Sequence, residues 1–240
     1  MSQAVKEPDA ATSGWSARLR ASFHHSAGDI VFGMEDGTVS IFGLVFGVAA
    51  SAPDAHAVLL AGATGAIAAA VSMMAGTYLD VESENDAQAA AIEERQRSLQ
   101  QDPDTALRDE RERLTRAGFA SGEIESIVSI LSRHPDTAST LDSAFQLGIA
   151  PTSAEQPAVQ AAWMFFSDLF AAFVPVVPFA IFALGTARIV SLIVTTVLLV
   201  LLGVGRARLG HKSVVATTFE TIAIAAGAAL AGVLVSRLIA

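Results

Sequence analysis

The stretch that decides the fold is "GDIVFGMEDGTVSIFGLVFGVAAS", residues 28–51. Most of it is apolar enough for a bilayer, yet Glu35 and Asp36 stand side by side among Gly33, Gly37, Gly43 and Gly47. A carboxylate at mid-membrane costs about 2.5–3.5 kcal/mol on insertion scales, so an acid in such a segment is expected to face a cavity or a partner. Gly33, Asp36, Ser40, Gly43 and Gly47 follow one another at helical spacings of three or four, which predicts a single small-residue face able to approach another helix closely. Glu35 points about 100° away from that face and is expected nearer the headgroups.

The rest of the chain explains where this segment belongs. Of the 240 residues, 52% are hydrophobic and 16% charged, against about 25% charged in soluble domains. Four further stretches approach or exceed the roughly 20 apolar residues that a spanning helix needs, at about 57–79, 161–184, 189–204 and 214–238. The fold expected is therefore an all-α membrane protein with five transmembrane helices and a helical insert between the second and third. Its parts are an N-terminal tail (1–29), helices 1 and 2 (30–79), the insert (80–160) and helices 3–5 (161–240).

The insert holds sixteen of the 24 acidic residues and seven of the 15 basic ones, so the net charge of −9 belongs to one polar segment and gives no footprint for nucleic acid. Its helices can be read from their punctuation. Residues 87–100 are rich in Ala, Glu, Gln and Arg. In "DPDTALRDERERLTRAG", Asp102 is an N-cap, Pro103 sits in the first turn and Gly118 stops the helix. "ASGEIESIVSILSRH" is amphipathic through Ile124, Ile127, Val128 and Leu131. Pro135 ends it, and "DTASTLDSAFQLG" makes a last short helix closed by Gly148.

Orientation follows from the basic residues. With the N-terminus in the cytoplasm, the short inside flanks carry Lys6, Arg18, Arg20, Arg206, Arg208 and Lys212, against Arg188 and Arg237 outside. The N-terminus and the insert are expected to be cytoplasmic. Residues 1–27 lack the uninterrupted apolar core of a secretory signal peptide. Trp15, Leu19 and Phe23, four residues apart, suit a short amphipathic helix on the membrane surface.

The chain has no cysteine, which removes disulfides, thiolate metal sites and thiol nucleophiles. It has no His-Glu-x-x-His and no Gly-x-Ser-x-Gly, so it is not expected to be an enzyme. His24 and His25 read as a solvated pair in a polar tail. The acids within or beside the spans are Glu35, Asp36, Asp168 and Glu220, with no basic residue deep in any span to pair with them. An uncompensated acidic pathway suits a cation or a proton. In the second span Met73, Thr77 and Asp80 share a face, with Met74 adjacent. A soft thioether beside a hard carboxylate suits Fe(II) or Mn(II) better than Ca(II) or Mg(II). In the third span "FVPVVPF" places Pro175 and Pro178 inside the helix, where each removes a backbone donor and kinks or breaks the helix.

These motifs together resemble the vacuolar iron transporter family. "DIVFGMEDGTVSIFGLVFGVAA" is similar to that family's first helix, where an Asp-Gly pair opens a Gly-rich run. "VSMMAGTYLDV" is similar to its second, and "FFSDLFAAFVPVVPF" to its third, with the double proline. The resemblance covers nearly the whole chain after Asp29, and the order of elements agrees. It implies a homodimeric exporter of divalent iron or manganese from the cytoplasm, exchanging the ion for protons through a pathway at the subunit interface. No cofactor is bound permanently; Fe(II) or Mn(II) is cargo and the proton is the coupling ion. By resemblance Asp36 is the first-helix metal and proton carboxylate and Met73 is the second-helix methionine; Glu35, Met74 and Thr77 are expected to line the same pathway. Dimerisation is implied by the resemblance and by Gly43-x-x-x-Gly47. The membrane is expected to be a bacterial inner membrane.

The chain also departs from the family. Thr77 stands where the family has the glutamate of Gly-Glu-Tyr. In the insert the family's glutamates around a proline matching Pro103 are replaced by Arg95, Ser98, Ala106 and Asp109. A family Met and Glu near the insert's end become Ser143 and Gln146. A metal site in the insert would have to be built from Glu93, Glu94, Asp109 and Glu110, and these alternate with arginines that can pair with them along a solvated helix. The competing reading is a diverged, non-transporting membrane protein whose insert binds a partner.

Overall fold

The computed structural model describes residues 26–101, 103–133 and 156–239. The expected surface helix around Trp15 to Phe23, the caps at Asp102 and the last insert helix near Gly148 lie outside the described residues. Every regular element among those described is helical, and five helices are long and apolar enough to cross a membrane. By contacts the chain divides into two compact units, Met1–Tyr78 with Pro157–Ala240, and Leu79–Gln156.

The first unit is a bundle built around α1 (Ala27–Ser51), the most enclosed span. It is joined by α2 (Ala55–Gln101), α5 (Pro157–Val176), the four-residue α6 (Pro178–Ile181), α7 (Leu184–Leu209) and α8 (Val214–Ile239). Asp54 caps α2, its Oδ1 accepting the Ala57 N–H at 2.9 Å and satisfying a donor that the helix start leaves free. The second span is longer than its apolar stretch. α2 is one 47-residue helix that carries on through the good helix formers at 87–100 without a break.

Water does not drive helices together inside a bilayer, so fit between surfaces must do so. One cluster joins Ile41, Val45 and Ala49 of α1 to Val58 and Ala66 of α2, Ala172 and Val176 of α5, and Phe179 and Ala187 beyond. A second joins Phe42 of α1 to Leu199 of α7 and Ala225 of α8. The glycines of α1 set the closest approaches, and they do so in two directions. A Cβ on Gly33 would lie 2.5 Å from Met164 Sδ of α5, and one on Gly37 would lie 2.6 Å from the Asp168 carbonyl oxygen. A Cβ on Gly43 would instead lie 3.0 Å from the Ala228 carbonyl of α8, and one on Gly47 2.8 Å from Gly232. The single glycine face expected from the sequence is therefore two faces. Gly43 and Gly47 are filled by α8 of the same chain, so that motif carries no argument for a dimer.

The third span runs through Pro175 and is interrupted only at Val177, just before Pro178. α5 ends at Val176 and α6 restarts at Pro178. Ser191 of α7 donates to the Pro175 carbonyl at 2.7 Å, giving the broken segment a side-chain partner in place of water. Arg188 donates to the Ala49 carbonyl in the last turn of α1, where a cation also opposes the negative end of the helix dipole.

The second unit contains the rest of α2, α3 (Pro103–Arg116) and α4 (Ser121–Arg133). Gly118, at φ 92°, ends α3 in the left-handed conformation that glycine adopts without strain, and Phe119 N–H returns to the Leu114 carbonyl at 3.2 Å. Glu123 reaches back to the Ala120 N–H at 2.8 Å and caps α4. Ile124 and Val128 are its buried residues, two of the four that the periodicity singled out.

Candidate functional site

The two adjacent acids of α1 have different fates. Glu35 is nearly enclosed, its side chain 12% exposed. Its Oε1 accepts from Arg206 Nη1 at 2.8 Å and from Thr221 Oγ1 at 2.8 Å. Arg206, at the end of α7, also donates to Glu220 Oε2 at 3.2 Å. Three helices thus converge on one guanidinium, and Glu35 is compensated rather than free. The expectation that no basic residue pairs with the acids fails here. Arg206 sits at a helix end, but its long stem carries the charged head to the carboxylates.

Asp36 is half-buried and has no hydrogen-bond or ion-pair partner among the described residues. Ser40, expected on the same packed face, is exposed and bonds only weakly to its own helix at Gly37 O, 3.5 Å away. Met73, Met74 and Thr77 of α2 are half-buried, while Ser72, Ala75, Gly76 and Asp80 are exposed. Within one chain, no described hydrogen bond or ion pair joins Asp36 to this part of α2.

The acid that sequence reasoning undervalued is Asp168. It is 0% exposed, and neither Oδ1 nor Oδ2 has a hydrogen-bond partner among the described residues. It lies on Gly37, next in sequence to Asp36. One turn earlier on α5, Met164 lies on Gly33, which the hydroxyl of Ser167, the neighbour of Asp168, also reaches. The signal that could have found this arrangement is the spacing match between Gly33-x-x-x-Gly37 and Met164-x-x-x-Asp168, two residues each time four apart.

In the insert, Glu93 pairs with Arg97 at 2.5 Å, Glu94 approaches Arg97 at 4.0 Å, and Glu110 pairs with Arg113 at 3.4 Å. Asp109 is exposed. Among the described residues no group of three or more His, Asp or Glu side chains is close enough to hold a metal. A site in this chain therefore needs sulfur ligands, fewer carboxylates, or a second subunit.

The five apolar spans and the intramembrane carboxylates define an integral membrane protein of the polytopic helical class. Residues 27–237 match the VIT family, and the chain belongs to it. It is 25% identical over 221 residues to vacuolar iron transporter 1 of Arabidopsis thaliana, covering 90% of this chain and 88% of the relative. It is 26% identical over 183 residues to vacuolar iron transporter 1 of Eucalyptus grandis, covering 75% and 74%. It is 27% identical over 188 residues to protein CCC1 of Saccharomyces cerevisiae, covering 77% of this chain and 58% of that protein. These relatives come from plants and yeast, so they lend no support to the expected bacterial inner membrane.

Proposed function

We propose that this protein transports a divalent metal, Fe(II) or Mn(II), across its membrane, with Asp36 as the carboxylate that takes the ion. Family membership and the iron-transporter names of its relatives support the cargo class. The observation that carries the residue assignment is the division of labour at residues 35 and 36. Arg206 and Thr221 occupy Glu35, while Asp36 has no described partner and keeps its acceptor oxygens for cargo.

A carboxylate and a thioether together suit a borderline ion over Mg(II) or Ca(II). Met73 supplies that thioether, with Met74 and Thr77 beside it, from the partly exposed face of α2. Because no described hydrogen bond or ion pair within one chain ties Asp36 to the Met73 region of α2, this reading has two copies of the chain complete the pathway between them. A carboxylate can trade the ion for a proton, which gives export coupled to proton entry. The N-terminus and insert are on the cytoplasmic side in this reading, as the short-flank charges favour.

The test is metal uptake into proteoliposomes, with Fe(II) and Mn(II) and an imposed pH gradient, for the native chain and Asp36→Asn. Flux that follows the gradient and disappears in the variant is the expected outcome. Absence of flux of either metal from folded, inserted protein defeats the proposal. It would favour the second reading, a non-transporting membrane protein whose insert binds a partner. The arginine pairing of Glu93 and Glu110 is the observation on that side.

A further inference from the structure

We propose that Asp168 and Met164 of α5, with Asp36 of α1, form a second cation site inside a single subunit. The proposal rests on the transport reading for its cargo, but not on a subunit interface. An acid cluster alone would not define a site. The independent observation is that both oxygens of Asp168 are fully buried with no hydrogen-bond partner among the described residues, and that Oδ1 lies against α1 at Gly37, next to Asp36.

A buried carboxylate without a donor is disfavoured, and in a bilayer no water compensates it. Two other acids of the bundle are compensated. Glu35 receives two donors, and Asp29 accepts from Gln160 Nε2 at 3.1 Å. Asp168 receives none among the described residues, although Ser167 stands next to it. The Ser167 hydroxyl donates to the Met164 carbonyl at 3.0 Å instead. A bound cation is the partner that would satisfy these oxygens.

The surroundings fit a borderline divalent ion. Met164 is 4% exposed, and its Sδ is turned toward α1 at Gly33, one helical turn from where Asp168 rests on Gly37. Gly33 and Gly37 have no side chains, so the polar face of α5 comes directly against α1 at the level of Asp36. Two carboxylates neutralise a divalent charge, and the thioether favours Fe(II), Co(II) or Mn(II) over Ca(II). Asp36 would then be shared between this site and the pathway proposed above.

The experiment is equilibrium binding of Mn(II), followed by electron paramagnetic resonance of the free ion, to the full chain purified in detergent. The native chain is compared with Asp168→Asn, and flux is measured on the same preparations. A tenfold or greater rise in Kd for folded Asp168→Asn is expected, with flux falling in parallel. Unchanged affinity, stoichiometry and flux in that variant overturns the site and leaves the transport reading standing. Binding that depends on Asp168 without native flux upholds the site and defeats the transport reading. Should Asp168→Asn fail to fold, Met164→Leu decides, because it keeps the volume and removes only the sulfur. A weakened ability of Co(II) to displace Mn(II) is then expected, and native-like competition overturns the proposal.

Discussion

Asp168 rests on Gly37. A methyl group on that glycine would collide with Asp168 Oδ1 and come within 2.6 Å of the Asp168 carbonyl oxygen and 3.0 Å of Cγ. The carboxylate of α5 and the backbone of α1 occupy the smallest separation these helices can have.

Gly37→Ala should therefore force α1 and α5 apart, because the carbonyl cannot rotate away as a flexible side chain would. Overpacking of this kind costs about 1–3 kcal/mol. Thermal unfolding in detergent should show a clear fall in Tm. Gly227→Ala in α8, where a Cβ meets nothing within 4 Å, should leave Tm unchanged or slightly raised. Equal effects from the two substitutions would contradict the packing described.

Arg206→Gln removes the charged donor from Glu35 and leaves a nearly enclosed carboxylate with the Thr221 hydroxyl alone. Loss of a hydrogen bond to a charged group of this kind costs about 1.5–3 kcal/mol. Adding Glu35→Gln to Arg206→Gln should recover part of that loss, since the orphaned charge goes with it. A double-mutant cycle reads the coupling directly, and simple additivity would argue against the pair.

In the insert, Arg111 holds the Glu125 carboxyl below its ordinary value of 4.5, by its hydrogen bond first and then by its charge. A lowered folded pKa means that this contribution to stability is fully present above pH 4.5. It is lost as pH falls through the folded value. The pair is exposed at 2.9 Å, so salt should weaken it. A carboxyl-carbon NMR titration of the full chain should place Glu125 below 4.5, and Arg111→Gln should move it upward. A titration unmoved by that substitution would remove the pair's assigned role.

The combined change Glu93→Gln, Glu94→Gln and Glu110→Gln should leave Mn(II) affinity within about twofold of native, because arginines already pair with these carboxylates, as in ordinary i,i+3 and i,i+4 helix pairs. Equilibrium dialysis checks it. A tenfold loss of affinity would restore the insert as a metal-binding element.

The spans were legible because a run of apolar residues bounded by charge is a local signal, and because membrane helices must satisfy their own backbone. The interruption before Pro178 and the stop at Gly118 were legible for the same local reason. What the chain alone did not disclose is which neighbour each face meets. Gly33 and Gly43 lie on one stretch of helix, yet one meets α5 and the other α8. An apolar span has little contrast between its lipid side and its protein side, so periodicity cannot sort them. In the sequence Arg206 reads only as part of a short basic flank, and its reach to Glu35 depends on a crossing of α1 and α7 that no spacing rule encodes. Asp168 was visible as an intramembrane acid. Its complete enclosure was not, because that depends on the glycines of another helix.

The pairing of Glu35 with Arg206 also has a consequence for biogenesis. The two residues are 171 positions apart, so the ribosome completes the first span long before it makes the guanidinium that neutralises it. At about 5–20 residues per second the wait is roughly 10–35 s. During that interval the nascent α1 carries an uncompensated acid at Glu35 and a second at Asp36. α1 thus becomes electrostatically complete only after α7 has been made.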